Sequence, residues 1–163
     1  DLWVSRQHRM LVSSRISERM FGTSDVLIAA IKLTKLPGVF VDESIDAVEY
    51  YHVLFDKHEV IFAEGAPTES LFTGPEALKA ISSEAREEIL AIFPELADKD
   101  YAPEHAAFVP PNNAQKTLVA RHVKNNKPLL AHQNSGVAHF HCLLGFSFDR
   151  LTQATQSAQS KQP

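Results

Sequence analysis

Apolar and polar positions fall into three regimes along the chain. In the first twelve residues Leu2, Val4, Met10, Leu11 and Val12 flank a polar centre, Ser5 to Arg9, which predicts a strand interrupted in its middle. The stretch SSRISERMFGTSD, residues 13–25, reads as a polar connector turning at Gly22. DVLIAAIKL, residues 25–33, fits a buried strand running into a short helical turn, since periodicity does not separate strand from helix over so short a run. Pro37 and Gly38 mark a turn. Two Val-, Tyr- and Phe-rich stretches, Ala47 to Phe55 and Glu59 to Ala63, predict strands joined at Asp56-Lys57, with Gly65-Ala66-Pro67-Thr68 ending the second.

The period then changes. In GPEALKAISSEAREEILAIFPEL, Leu78, Ile81, Ala85, Ile89 and Ile92 recur at helical spacing, with Pro75 suited to the first turn and Pro94 to the stop. ADKDYAPEHAAFVPPNN reads as a linker, AQKTLVARHVKN as a shorter helix, and VAHFHCLLGFSF as a strand. The tail TQATQSAQSKQP has the composition of a disordered segment. The expected architecture is mainly β over about residues 1–73, followed by a helical and irregular extension. The corresponding division is 1–74, 75–150 and a tail at 151–163.

Composition narrows the class without naming it. At 163 residues, 44% hydrophobic and 22% charged, the chain has globular rather than disordered character. A net charge of −4 gives no nucleic-acid or anionic-membrane footprint. No apolar run approaches the roughly 18 residues a membrane-spanning helix needs. Cys142 is the single cysteine, so no internal disulfide forms and the compartment stays open between cytoplasm and cell surface. The chain opens on Asp1 in mid-pattern, without initiator Met, cap or turn signal, as expected of a fragment.

Local chemistry is ambiguous. His52, Asp56 and His58 flank the predicted turn, and imidazole with carboxylate binds metals or relays protons. Their spacing matches no defined metal-ligand pattern, and a solvated hairpin tip accounts for them. Ser5-Arg6-Gln7-His8 sets a hydroxyl three residues before an imidazole, and either group can donate to a reacting carbonyl or amide nitrogen. His139 and His141 share a face if their segment is a strand, with Cys142 adjacent, but no fourth zinc ligand is evident. Arg121, His122 and Lys124 read as a solvated basic helix face. No phosphate-binding glycine loop, nucleophile elbow or H-E-x-x-H motif occurs.

Two stretches taken together are more specific. DLWVSRQHRMLV, followed by VEYYHVLFDKHEVIFAEGAPTESL, resembles the bacterial Hint (Hedgehog/intein) domain of the Hint-2 type, over roughly residues 1 to 75. LVARHVKNNKPLL is similar, more loosely, to the tail that follows such domains. The resemblance implies an all-β horseshoe and a self-processing reaction with the parent polypeptide as substrate and no cofactor or metal. In that reaction an N-terminal Cys or Ser attacks the preceding carbonyl, converting an amide to a (thio)ester. A T-x-x-H motif supports the shift, its His hydrogen-bonding the scissile amide nitrogen and its Thr orienting the site. By this resemblance Ser5 stands for the Thr and His8 for the His, while Tyr51, Asp56, His58 and Glu64-Gly65 fall near the second motif. Asp56 or His58 is then the acid/base of the later step.

The departures matter equally. Residue 1 is Asp, and the family places its nucleophile upstream of the S-x-x-H motif. Cys142 lies too far downstream to replace it. Glu69-Ser70 lies near the place of the terminal His-Asn pair, so Asn cyclisation and splicing are not expected, whereas cleavage or acyl transfer in the parent protein stays open. The resulting expectation is the C-terminal part of an autoprocessing domain, inactive alone and prone to self-association through exposed strand edges. The competing readings are a non-catalytic interaction module on a degenerate Hint scaffold and a metal-dependent hydrolase built on His52, Asp56, His58, His139 and His141.

Overall fold

Ser14 starts a helix where the polar pattern predicted a connector. Its hydroxyl accepts the Ser17 N–H at 3.1 Å, satisfying one of the orphan donors of the first turn. Gly22, at φ 78°, ends the helix in the left-handed conformation that glycine adopts without a Cβ penalty, its N–H donating to the Glu18 carbonyl. Helix α1 (Arg15–Phe21) is too short for an apolar period to stand out, and its signal lies in these caps. It separates β1 (Leu2–Ser5) and β2 (Arg9–Ser13) from β3 (Asp25–Ala29). The strand-to-helix run is as expected: β3 passes directly into α2 (Ala30–Leu33), and β4 (Val39–Asp42) follows.

The hairpin sits elsewhere than the sequence suggested. The antiparallel partners are β6 (Val60–Ala63) and β7 (Ala66–Glu69), joined by Glu64 at φ 50° and Gly65 at φ 78°. Two consecutive positive φ values give a turn whose twist matches a two-residue hairpin. Asp56-Lys57 is only a bend, because β5 (Tyr51–His52) pairs in parallel with β9 (Arg150–Leu151) rather than with β6. A Glu in the first turn position hid the signal that Asn-Gly or Asp-Gly would have given.

The computed structural model describes residues 1–44, 51–74, 78, 82–98 and 100–130, together with strand pairing at 140–143 and 150–151. One sheet runs β3-β2-β7-β6, all antiparallel; a second runs β1-β8-β4, with β8 (Phe140–Leu143) parallel to both neighbours. The later chain adds α3 (Ser83–Ile92), a 3-10 turn at Pro94–Ala97 and α4 (Asn112–Asn125). The expectation of an all-β domain over about residues 1–73 is therefore corrected: helices α1 and α2 lie within that stretch, ahead of the expected helical extension. Of the first part of the predicted 75–92 helix only Leu78 is described, buried and helical; residues 75–77 and 79–81, Ile81 included, lie outside the described residues.

A single apolar cluster joins the two ends of the described chain. Val4, Met10, Val12, Val26 and Ile28 from the strands pack with Leu118 and Val119 of α4. Helix α4 buries Gln115, Leu118, Val119 and His122, the i, i+3, i+4, i+7 stripe of an amphipathic helix. This corrects the reading of Arg121, His122 and Lys124 as one solvated face: Arg121 and Lys124 are exposed, whereas His122 is 1% exposed. Its Nε2 meets the Ser14 hydroxyl at 3.0 Å and its Nδ1 the Lys127 carbonyl at 3.1 Å. Burial pushes the His122 pKa down, although the backbone contacts at Lys127 and Pro128 work against it.

The 98–111 linker has a structural role. Strand β3 lies at a sheet edge, yet all four residues after Asp25 are buried. The linker covers that edge, the Leu27 N–H donating to the Phe108 carbonyl at 2.9 Å. The Gln115 side chain secures the same corner, accepting the Ala29 N–H and donating to the Pro110 carbonyl. Among the described residues no helix is long and apolar enough to cross a membrane.

Candidate functional site

One register contact assembles the site. Strands β2 and β7 pair at Met10 and Thr68, which sets His8 and Arg9 beside Thr68 and Glu69. The loop that delivers His8 is closed on Ser5: the His8 N–H donates to the Ser5 carbonyl at 3.1 Å and reaches the Ser5 hydroxyl at 3.3 Å. Ser5 thus holds the turn from which His8 projects.

Strand β7 holds the Arg9 backbone through both its N–H and its carbonyl. The Thr68 hydroxyl donates to the Arg9 carbonyl at 3.1 Å, and Glu69 Oε1 accepts the Arg9 N–H at 2.7 Å. Glu69 Oε2 accepts from Arg9 Nη1 at 2.9 Å, completing a two-point, charge-assisted contact. His8 Nε2 is in hydrogen-bond contact with the Thr68 hydroxyl oxygen. Thr68 is 2% exposed and Glu69 7%, so water does not compete for these groups.

His58 reaches the same carboxylate from the other side. Its Nδ1 accepts the Ala106 N–H at 3.0 Å, so the proton of the neutral ring sits on Nε2. That Nε2 is buried 3.3 Å from Glu69 Oε2 but lies off the hydrogen-bond line. The contact is an electrostatic attraction, short of a full hydrogen bond. Burial works to raise the Glu69 pKa, yet His58, Arg9 and His8 outweigh it and hold the carboxyl below its ordinary range.

An aromatic wall closes this side. Phe72 stacks on His105 at 3.9 Å between centroids, and His58 meets both rings edge-on at 5.2 and 5.5 Å. The Arg9 guanidinium carbon lies 6.0 Å from the Phe72 centroid. Burial, with the charges of Arg9 and His58, pushes the His105 pKa down against the opposing pull of Glu69. Tyr101 ties the linker to the wall through a 2.9 Å hydroxyl contact with Thr73.

Of the residues singled out from sequence, Ser5, His8 and His58 enter this arrangement. Asp56 stands apart on its exposed bend. The side chains of His52, His139, His141 and Cys142 lie outside the described residues. Among the described residues no group of three His, Cys, Asp or Glu side chains is placed to hold a metal ion. Arg9, Thr68 and His105 were given no role from the sequence, and Glu69 was noted only as lying near the place of the terminal His-Asn pair. Thr68 and Glu69 follow a Gly in a stretch taken as the end of a strand. A hairpin turn at Glu64-Gly65 would have set them at alternating positions of a new strand. The cleft of about 470 Å³ beside α1 and α4, lined by residues including Arg15, Arg19, His122 and Lys127, shares no residue with this network.

The arrangement is a protein-bound imidazole with a fixed hydroxyl partner, next to a buried carboxylate, guanidinium and second imidazole. Groups of these types can donate, accept and relay protons. Residues 1–75 match the family model of the Hint domain, and they carry a Hint-type domain. No curated protein and no solved structure matches the chain.

Proposed function

We propose that this chain serves the self-processing of the polypeptide that carries it, through an acyl shift assisted by His8. The observation that carries the reading is the His8 imidazole held by buried Thr68 inside the segment that matches the Hint family. In the proposed step a hydroxyl or thiol of the parent adds to the preceding carbonyl carbon. The new C–O or C–S bond forms, the C–N bond breaks, and the nucleophile's proton passes to the departing amine with His8 as carrier. The step is an isomerisation of amide to ester or thioester with no external reactant. Hydrolysis or transfer to a second nucleophile then separates the two parts.

In this reading Ser5 shapes the His8 turn, and His58 is the acid/base of the later step. Asp56, the alternative, is less well supported, because His58 shares the Glu69 carboxylate with Arg9 whereas Asp56 is solvated. Self-association through the outer strand β6, where Phe62 is 74% exposed, is a further proposal; a monomer at all concentrations by size-exclusion chromatography contradicts it. The test of the main reading is a gel assay of the parent polypeptide with added thiol. Wild type should yield cleaved products, and His8→Ala should slow cleavage by at least about a hundredfold, the lower end for a lost general acid. Equal cleavage in both overturns the assignment.

A further inference from the structure

We infer that Thr68 is the positioning residue that fixes which nitrogen of His8 exchanges a proton. A threonine hydroxyl has one proton to donate, and that of Thr68 goes to the Arg9 carbonyl, which can only accept. The hydroxyl oxygen therefore faces His8 Nε2 as an acceptor, and Nε2 must carry the hydrogen between them. Thr68 itself is buried, 2% exposed.

The consequence holds in both charge states of the ring. Neutral His8 is the Nε2–H tautomer; protonated His8 keeps that hydrogen and adds one at Nδ1. The proton gained and lost is thus the one at Nδ1. The strand register supports this: Glu69 holds the peptide before Arg9 through its N–H, Thr68 holds the peptide after it through its carbonyl, and Met10, which shares that second peptide, is paired on both sides, with Ile28 and Thr68. Thr68 lies sixty residues from His8, on a strand the S-x-x-H motif does not contain. It acts through the imidazole and touches no reacting atom.

This deepens the proposed reaction, in which Nδ1 becomes the atom that hands the proton to the departing amine. The experiment separates the two claims. Long-range proton–nitrogen correlation spectra of the ¹⁵N-labelled 163-residue chain report the tautomer of His8 without any cleavage. Wild type should show protonated Nε2 and unprotonated Nδ1 at a pH where the ring is neutral. An Nδ1–H tautomer, or an even mixture of both, overturns the inference and needs no variant. Thr68→Val keeps the shape and removes both roles of the hydroxyl, so the tautomer preference should collapse toward a mixture. Thr68→Ser should restore it. The His122 ring signals, held by Ser14, serve as the control for folding. An unchanged tautomer in folded Thr68→Val also overturns it.

In the parent polypeptide, Thr68→Val should slow cleavage by at least about tenfold and displace its pH profile, with rescue by Thr68→Ser. The expected tautomers with no cleavage in any form would sink the self-processing reading alone.

Discussion

Replacing Glu69 by Gln tests whether the β2–β7 junction depends on charge or only on shape. The amide keeps the outline of the carboxylate, and its oxygen can still accept the Arg9 N–H as Oε1 does at 2.7 Å. Its NH₂ group must then occupy the place of Oε2, which now faces Arg9 Nη1 at 2.9 Å and His58 Nε2 at 3.3 Å. Donors meet donors there. The loss comprises one charge-assisted hydrogen bond, about 1.5–3 kcal/mol, and a buried donor left without a partner, about 1–3 kcal/mol. The Arg9 side chain is 27% exposed and can turn to solvent, which trims the total to about 2–4 kcal/mol. Urea unfolding at pH 7 gives this difference directly. The sign with pH is also fixed. Since the folded Glu69 pKa lies below its ordinary 4.5, its contribution is present above that value and lost as pH falls through the folded pKa. The gap between wild type and Glu69→Gln should therefore narrow below about pH 4.5. A difference under about 0.5 kcal/mol at pH 7, or one that does not narrow in acid, would refute the reasoning.

Other substitutions probe separate parts of the molecule. Ser14→Ala removes an N-cap and strips His122 Nε2 of its partner, so urea unfolding should show a loss of about 1–3 kcal/mol. Because burial depresses the His122 pKa below 6.5, the stability it confers is present above pH 6.5 and falls as pH drops through its folded pKa; His122→Gln should flatten that part of the stability profile. Gly65→Ala meets no steric obstacle, since nothing lies within 4 Å of the new Cβ, so thermal unfolding should report only the backbone cost of φ 78°, about 1–2 kcal/mol. Ala106→Pro deletes the N–H that holds His58 Nδ1 and should cost about 1–3 kcal/mol while releasing the His58 tautomer in proton–nitrogen correlation spectra; an unchanged His58 spectrum counts against the assigned role of Ala106.

Local, repetitive signals were legible from the sequence, and pairwise ones were not. The apolar run at 26–29 announced a buried strand, and Ala30–Leu33 its helical continuation, because each depends only on its own neighbourhood. Residues Arg15–Phe21 escaped, since a two-turn helix shows fewer than three repeats of its period and leaves its evidence in Ser14 and Gly22. The hairpin was displaced by the same kind of error. Asp56-Lys57 has better turn composition than Glu64-Gly65, but turn composition does not decide which strands pair. His8 and His58 were visible as types. Their partners were not, because Thr68 and Glu69 gain meaning only once Met10 lies opposite Thr68.

The site extends beyond the matched segment. The family match stops at residue 75, yet the His58 ring is oriented by the N–H of Ala106 and walled by His105, both in a stretch the sequence presented as a linker. That stretch is fixed at three further points: Tyr101 on Thr73, the Phe108 carbonyl on Leu27, and the Phe108 ring 5.6 Å from Phe21. Leu118 and Val119 then enter the same core as Val4 and Val12. A polar site needs a rigid second wall to hold an imidazole in one tautomer, and in this chain β7 supplies it for His8 while the 101–108 segment supplies it for His58. The two histidines are therefore under separate control, one by a strand inside the matched region and one by a segment beyond it. Changes in the 101–108 segment should act on His58 and leave His8 in place.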